Sequence, residues 1–131
     1  MKIEKSSHTI HLEHDNIAVV QWRDSIDIIE KADLVELTES LMEVGGGAKV
    51  PVLVTTNDFL YLTEEAKSYS VSPEAQTYTL ANAVLIDSLG KKLVFNMYLR
   101  LFKPPLPTKA FQSKRLAIKW LMEMYKKEFG G

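Results

Sequence analysis

Residues 50–56 read Val-Pro-Val-Leu-Val-Thr-Thr (VPVLVTT), and residues 81–87 read Ala-Asn-Ala-Val-Leu-Ile-Asp (ANAVLID). Both are short and apolar, and the first is dense in β-branched side chains. A strand with one wet face alternates apolar and polar residues, whereas a strand covered on both faces does not. The two stretches therefore predict buried strands in the middle of a sheet. Between them, Thr63 precedes Glu64 and Glu65. A hydroxyl at a helix start accepts from the free amides of the first turn, and the dipole favours acids there. Ser72-Pro73-Glu74 repeats the signal with proline at the first helical position. Residues 63–80 thus predict two short helical pieces with a break near Val71. Strands joined through helices pair in parallel, by right-handed crossovers.

Toward the C-terminus, Ser88 caps a predicted helix over 89–102, ended by Lys103-Pro104-Pro105. Its apolar residues, Leu89, Leu93, Val94, Phe95, Met97, Tyr98, Leu99, Leu101 and Phe102, lie on nearly all sides. Such a helix is expected to be covered by more than the sheet. A short strand at 108–111 and a helix capped by Ser113 follow. In that helix Ala117, Trp120, Leu121 and Met124 share one side, so Trp120 is expected to bury against the sheet. Toward the N-terminus, HTIHLE (8–13) and IAVVQWR (17–23) alternate around His14-Asp15-Asn16 and predict an antiparallel hairpin. Asp27 with Glu30 resembles a capping box for a helix to Val44, with Leu34, Leu37, Leu41 and Val44 inward and an acidic outer face. Gly45, Gly46 and Gly47 stop it. They do not form a phosphate loop, because that motif places glycines after a strand and before a helix. The order is β-β-α-β-α-β-α-β-α, an α/β fold with a mixed, mostly parallel central sheet, read as one domain over 1–131.

This order, at this length, resembles the STAS domain, and more narrowly the SpoIIAA-like group, related in fold to the lipid-binding CRAL-TRIO domains. The resemblance spans residues 8–128 or so. The stretch most similar to SpoIIAA-like proteins is KPPLPTKAFQSKRLAIKWL (103–121): a proline-rich turn, a short strand ending in Phe, a Ser cap and an Ala-x-x-Trp-Leu helix. In anti-sigma-factor antagonists of this fold, an Asp-Ser-Ser-Gly turn carries a phosphorylated serine. The matching turn here, Thr55 to Thr63, lacks that motif, and Ile86-Asp87-Ser88-Leu89-Gly90 follows the next strand, one unit too late. Thr63 and Ser88 are accordingly read as helix caps rather than phosphorylation sites.

Composition narrows function by exclusion. The chain of 131 residues is 46% hydrophobic and 25% charged, has no Cys and carries a net charge of −1. It is too apolar for a disordered chain and has no means of forming a disulfide or thiolate metal site. No apolar run reaches the ~18 residues of a membrane span, and the start MKIEKSSHTIHLEHD lacks a signal-peptide core, so a cytoplasmic location is expected. Charge is uneven: residues 1–65 hold five Lys/Arg against thirteen Asp/Glu, and residues 66–131 hold eleven against four. Either these are two solvated faces, or they are complementary faces that promote association. The pI of 6.3 and the scattered basic residues do not suit a nucleic-acid footprint.

Three sets of residues invite a functional reading. In an open α/β sheet, ligands favour the crevice beyond the carboxyl ends of parallel strands. Asn57, Asp58, Tyr61, Thr63, Asp87, Ser88 and Lys91 are expected to gather there, as a ligand or partner crevice. Phe95, Tyr98 and Phe102 are a candidate apolar groove. Ile118, Met122, Tyr125 and Phe129, at steps of four, three and four, form a second stripe on the last helix and a candidate dimer surface. His8, His11 and His14 are read as surface histidines, since three-residue spacing in a strand turns alternate side chains apart. No nucleophile elbow, Walker sequence or zinc signature occurs, and neither a metal nor a cofactor is expected. The reading is a non-enzymatic STAS-like interaction or regulatory module, a homodimer with a possible protein partner. The alternative is a small carrier of an apolar ligand or lipid. The third is an enzyme of unknown reaction at the strand-end crevice.

Overall fold

β-Branched and small apolar residues supply the sheet, and helices connect its parallel strands. The computed structural model describes residues 2–14, 16–55 and 61–130. Its elements are β1 (Lys2–Glu4), β2 (His8–Glu13), β3 (Ile17–Trp22), β4 (Ile28–Ile29), α1 (Lys31–Gly45), β5 (Val50–Thr55), β6 (Tyr61–Leu62), α2 (Glu64–Ser70), α3 (Pro73–Gln76), β7 (Thr79–Leu85), α4 (Leu89–Phe102), β8 (Thr108–Phe111) and α5 (Lys114–Phe129). A six-stranded sheet runs β1-β2-β3-β5-β7-β8. The pairs β1–β2 and β2–β3 are antiparallel, and β3–β5, β5–β7 and β7–β8 are parallel. The mixed, mostly parallel α/β sheet expected from the sequence is therefore present.

The two faces of the sheet carry separate cores. On one, Ile17, Val19, Leu53, Ala81 and Ala83 meet Ala117, Ile118 and Leu121 of α5. On the other, Ile10, Ala18, Val20, Val50 and Val52 meet Leu41 and Val44 of α1. Alternate residues of one strand serve opposite cores, as the pleat requires. α2 and α3 pack beside α1, and α4 packs chiefly against β8. Pro51, without an N–H, sits in the central strand β5 where the register with β7 shifts.

Three local differences have physical reasons. The strand β1 contains one apolar residue, Ile3, too little for a pattern. The helix over 27–44 starts only at Lys31, because Ile28–Ile29 pairs in parallel with Tyr61–Leu62 as a separate two-stranded sheet. Ile29 is buried there. The cap moves accordingly to Glu30, whose amide donates to Asp33 Oδ2 at 2.9 Å. At the far end Gly46 adopts φ 63° and Gly47 φ 89°, and the Gly47 amide donates to Met42 O at 2.9 Å, as a left-handed helix stop requires.

Candidate functional site

The parallel strands end together. Gln21 of β3 is the register partner of Thr55 of β5, Thr55 of Leu85 of β7, and Leu85 of Phe111 of β8. β5 and β7 thus end at one edge of the sheet. Asn57 and Asp58 lie outside the described residues. At this edge Thr55 Oγ1 donates to Gln21 Oε1 at 2.5 Å. Asp87, Lys91, Ser88 and Thr63 of the expected crevice are engaged locally. Asp87 pairs with Lys91 at 3.1 Å, one turn on, with the carboxylate side chain 68% exposed. The Ser88 hydroxyl accepts from the Lys91 amide at 3.2 Å, and Thr63 Oγ1 accepts from the Ala66 amide at 3.1 Å. Tyr61 is 77% exposed. Clefts of about 450, 290 and 160 Å³ are lined by Lys31 and Tyr69, by Gln21 and Arg23, and by Leu37 and Val54, and none includes Tyr61, Thr63, Asp87, Ser88 or Lys91.

α4 holds the least expected surface. A helix on a sheet turns its apolar stripe inward, yet no described side chain of α4 is buried. Leu89, Leu93, Val94, Met97 and Leu101 are all more than half exposed, Leu101 at 83%. Four-residue steps put Leu89, Leu93, Met97 and Leu101 on one outward arc, with Val94 at its side. The half-buried inner side carries Phe95, Tyr98 and Leu99, with the first two rings 6.1 Å apart. Burial pushes the Tyr98 hydroxyl above its ordinary value, and the positive charge of Lys67 on α2 opposes it. The side chain of Phe102 lies outside the described residues. The cover expected for α4 beyond the sheet reaches only its inner face: that face is half-buried and the outer one is exposed.

On α5 the second stripe divides. Ile118 is buried in the core with Leu121, which removes it from the expected dimer surface. Tyr125 is half-buried, with its ring 4.7 Å from that of Phe129. Met122 and Phe129 are about half exposed. Trp120 is half-buried rather than fully so, resting on Phe111 with ring centres 5.6 Å apart.

The histidines require a correction. His8 is fully buried beside Trp22, in an edge-on ring contact at 5.7 Å. Ser7 Oγ donates its only proton to Glu36 Oε1 at 2.8 Å. His8 Nδ1, 2.8 Å from that oxygen, must then be the donor to it, and Nε2 accepts from the Ser40 hydroxyl at 3.0 Å. Ser40, His8, Ser7 and Glu36 form one directed chain that joins α1 to the sheet. Burial pushes the His8 imidazole below its ordinary value near 6.5, with Lys5 and Arg23 acting the same way and Glu36 and Asp33 opposing. The sequence signal that existed was parity: His8 shares the inward face of β2 with Ile10. His11, on the other face, contacts Glu13 at 2.8 Å, and Glu13 also meets Lys114 at 3.2 Å. The His11 contact is the leading reason that the Glu13 carboxyl lies below the usual carboxylate range. Among the described residues, no three His, Asp or Glu side chains gather in a metal-binding group.

A family model described as Domain of unknown function (DUF7793) matches residues 10–125. The chain belongs to the DUF7793 family. The fold is that of an uncharacterised DUF3478-family protein with a SpoIIAA-like fold from Shewanella loihica PV-4. That structure is 14% identical, covers 91% of this chain and 98% of its own, and has a TM-score of 0.58. A protein of unknown function from Arthrobacter sp. FB24 is 23% identical, over 91% of this chain and 95% of that one, with a TM-score of 0.32. No curated protein matches the chain. In this DUF7793 domain the SpoIIAA-like architecture read from the sequence is present, and the Thr63 and Ser88 hydroxyls act as helix caps.

Proposed function

We propose that this DUF7793 chain is a non-catalytic SpoIIAA-like module that works by docking, through the outward apolar face of α4. One observation carries the reading: five large apolar side chains of a single helix stand more than half exposed. Burying such a side chain contributes ~1.5–3 kcal/mol, so a surface that covers this face gains several times that amount. Single exposed apolar residues are ordinary, but a contiguous row of them marks an interaction site. The carrier reading has a cleft of about 160 Å³ between Leu34, Leu37, Leu41, Val52, Val54 and Leu106 in its favour. Among the described residues this apolar cleft is smaller than the ~300–1,000 Å³ of usual ligand pockets, which favours docking.

The test is Leu93→Gln with Met97→Gln. If the face is free, the unfolding free energy stays within about 0.5 kcal/mol of the parent and retention on a phenyl column falls. A stability loss of several kcal/mol means that the chain itself covers the face, and the reading fails. Self-association through α5 is a second reading, favoured by the half-exposed Met122 and Phe129. Sedimentation of Met122→Glu with Tyr125→Lys against the parent checks it. A parent that is monomeric at high micromolar concentration ends the homodimer idea.

A further inference from the structure

We propose that the surface covering the α4 face is an anionic membrane, on which the helix lies in the plane of the headgroups; this rests on the docking reading above. Charge is the first reason. From Ser88 through Met122 the chain has eight Lys and Arg and no Asp or Glu. Of these, Lys92, Arg100 and Lys103 belong to α4 and its C-cap, and Arg100 and Lys103 are exposed. Lys91 is engaged by Asp87. A helix with a bare Leu, Val and Met face bordered by cations, and with no acid of its own, matches the interfacial helix that sinks ~5–10 Å into the headgroup boundary.

Size is the second reason. Fourteen residues make a face of about 21 Å by 10 Å. Five exposed apolar residues and the cations beside them on one helix fall short of the ~20–30 residues a side that a stable protein interface engages. A lipid surface needs neither a large area nor a shaped counterpart.

Placement is the third. The acidic α1 packs over β1, β2 and β3, and α4 packs on β8 at the opposite edge. The C-terminal end of α4 approaches α1, since Pro104 and Leu106 line one cleft with Leu34 and Leu37, but the row of Leu89, Leu93, Met97 and Leu101 is on the exposed side of α4. Among the described residues no helix is long and apolar enough to cross a membrane, which leaves α4 lying on the surface.

The experiment is co-sedimentation of the full chain with phosphatidylcholine vesicles, with and without phosphatidylglycerol, at low and high salt. Binding at least tenfold stronger to the anionic vesicles, weakened by salt, is the expected result. Arg100→Gln with Lys103→Gln lowers it by about fivefold per cation. Leu93→Gln with Met97→Gln lowers it at least tenfold. Absence of vesicle binding, or equal binding to both vesicle types, overturns the membrane proposal. If vesicles are ignored while the parent self-associates and the Leu93/Met97 variant does not, the docking face stands and its occupant is a second copy. If the Leu93/Met97 variant unfolds, the docking reading fails with it. The Arg100/Lys103 variant, altered only at exposed positions, still decides the lipid question in that case.

Discussion

α4 and α5 lie at the same end of the chain, follow adjacent strands and have similar lengths, yet the chain uses them in opposite ways. α5 sends Ala117, Ile118 and Leu121 into the core and keeps Lys and Glu outside. α4 is richer in large apolar residues but buries none of those described. The amount of apolar surface on a helix says how much cover is favourable, not whether its own chain supplies it. α5 packs across β5, β7 and β8, whereas α4 reaches mainly the edge strand β8. The edge has too little sheet to cover a helix that is apolar all round.

Truncation of the two helices sharpens this contrast most. Leu121→Ala, at a fully buried position, is expected to lose ~2–5 kcal/mol by denaturant titration. Trp120→Ala, half-buried on Phe111, should lose about 2–3 kcal/mol, below the ~3–5 kcal/mol range of fully buried aromatics. A third anchor is polar. Ser40→Ala removes the donor to His8 Nε2 and leaves a buried acceptor without its partner, at a cost of ~1–3 kcal/mol. Leu101→Ala on α4 should change stability by less than about 0.5 kcal/mol. A Leu101 effect as large as that of Leu121 would erase the distinction between the helices.

The polar anchor also gives a pH dependence. His8 is held below its ordinary value of 6.5 in the folded chain, so below that pH the unfolded chain binds the proton more readily. Its contribution is fully present above about pH 6.5 and falls as the pH drops toward the folded value. Glu13, also depressed, loses its contribution only below its ordinary 4.5, so the window from about pH 6.5 to 5 isolates the histidine. Titrations across that window should slope downward with acid in the parent and be flatter in His8→Gln. Equal slopes would mean that His8 is not the group responsible.

Much of this fold was legible because the informative patterns are local. VPVLVTT and ANAVLID carry their own burial pattern, and Thr63, Ser72, Ser88 and Ser113 each cap the helix that follows. What escaped depends on distant partners. Ile28 and Ile29 extend because Tyr61 and Leu62 pair with them, 33 residues away in each case. The burial of His8 depends on Ser40, 32 residues on. The candidate sites were less legible still. Asp87, Ser88 and Lys91 follow their strand as expected, but a neighbouring cap or ion pair satisfies each. The bare face of α4 was invisible because sequence reports how apolar a helix is and not the width of sheet beneath it.

Native-state hydrogen exchange tests the contrast between α4 and α5 most directly. Helices held only by an edge open locally, at free energies well below global unfolding, while core helices exchange with the whole molecule. Amides of residues 93–101 should therefore exchange several kcal/mol more easily than those of 118–124. Equal protection of the two helices would contradict the account, because it would require α4 to be held as firmly as the core.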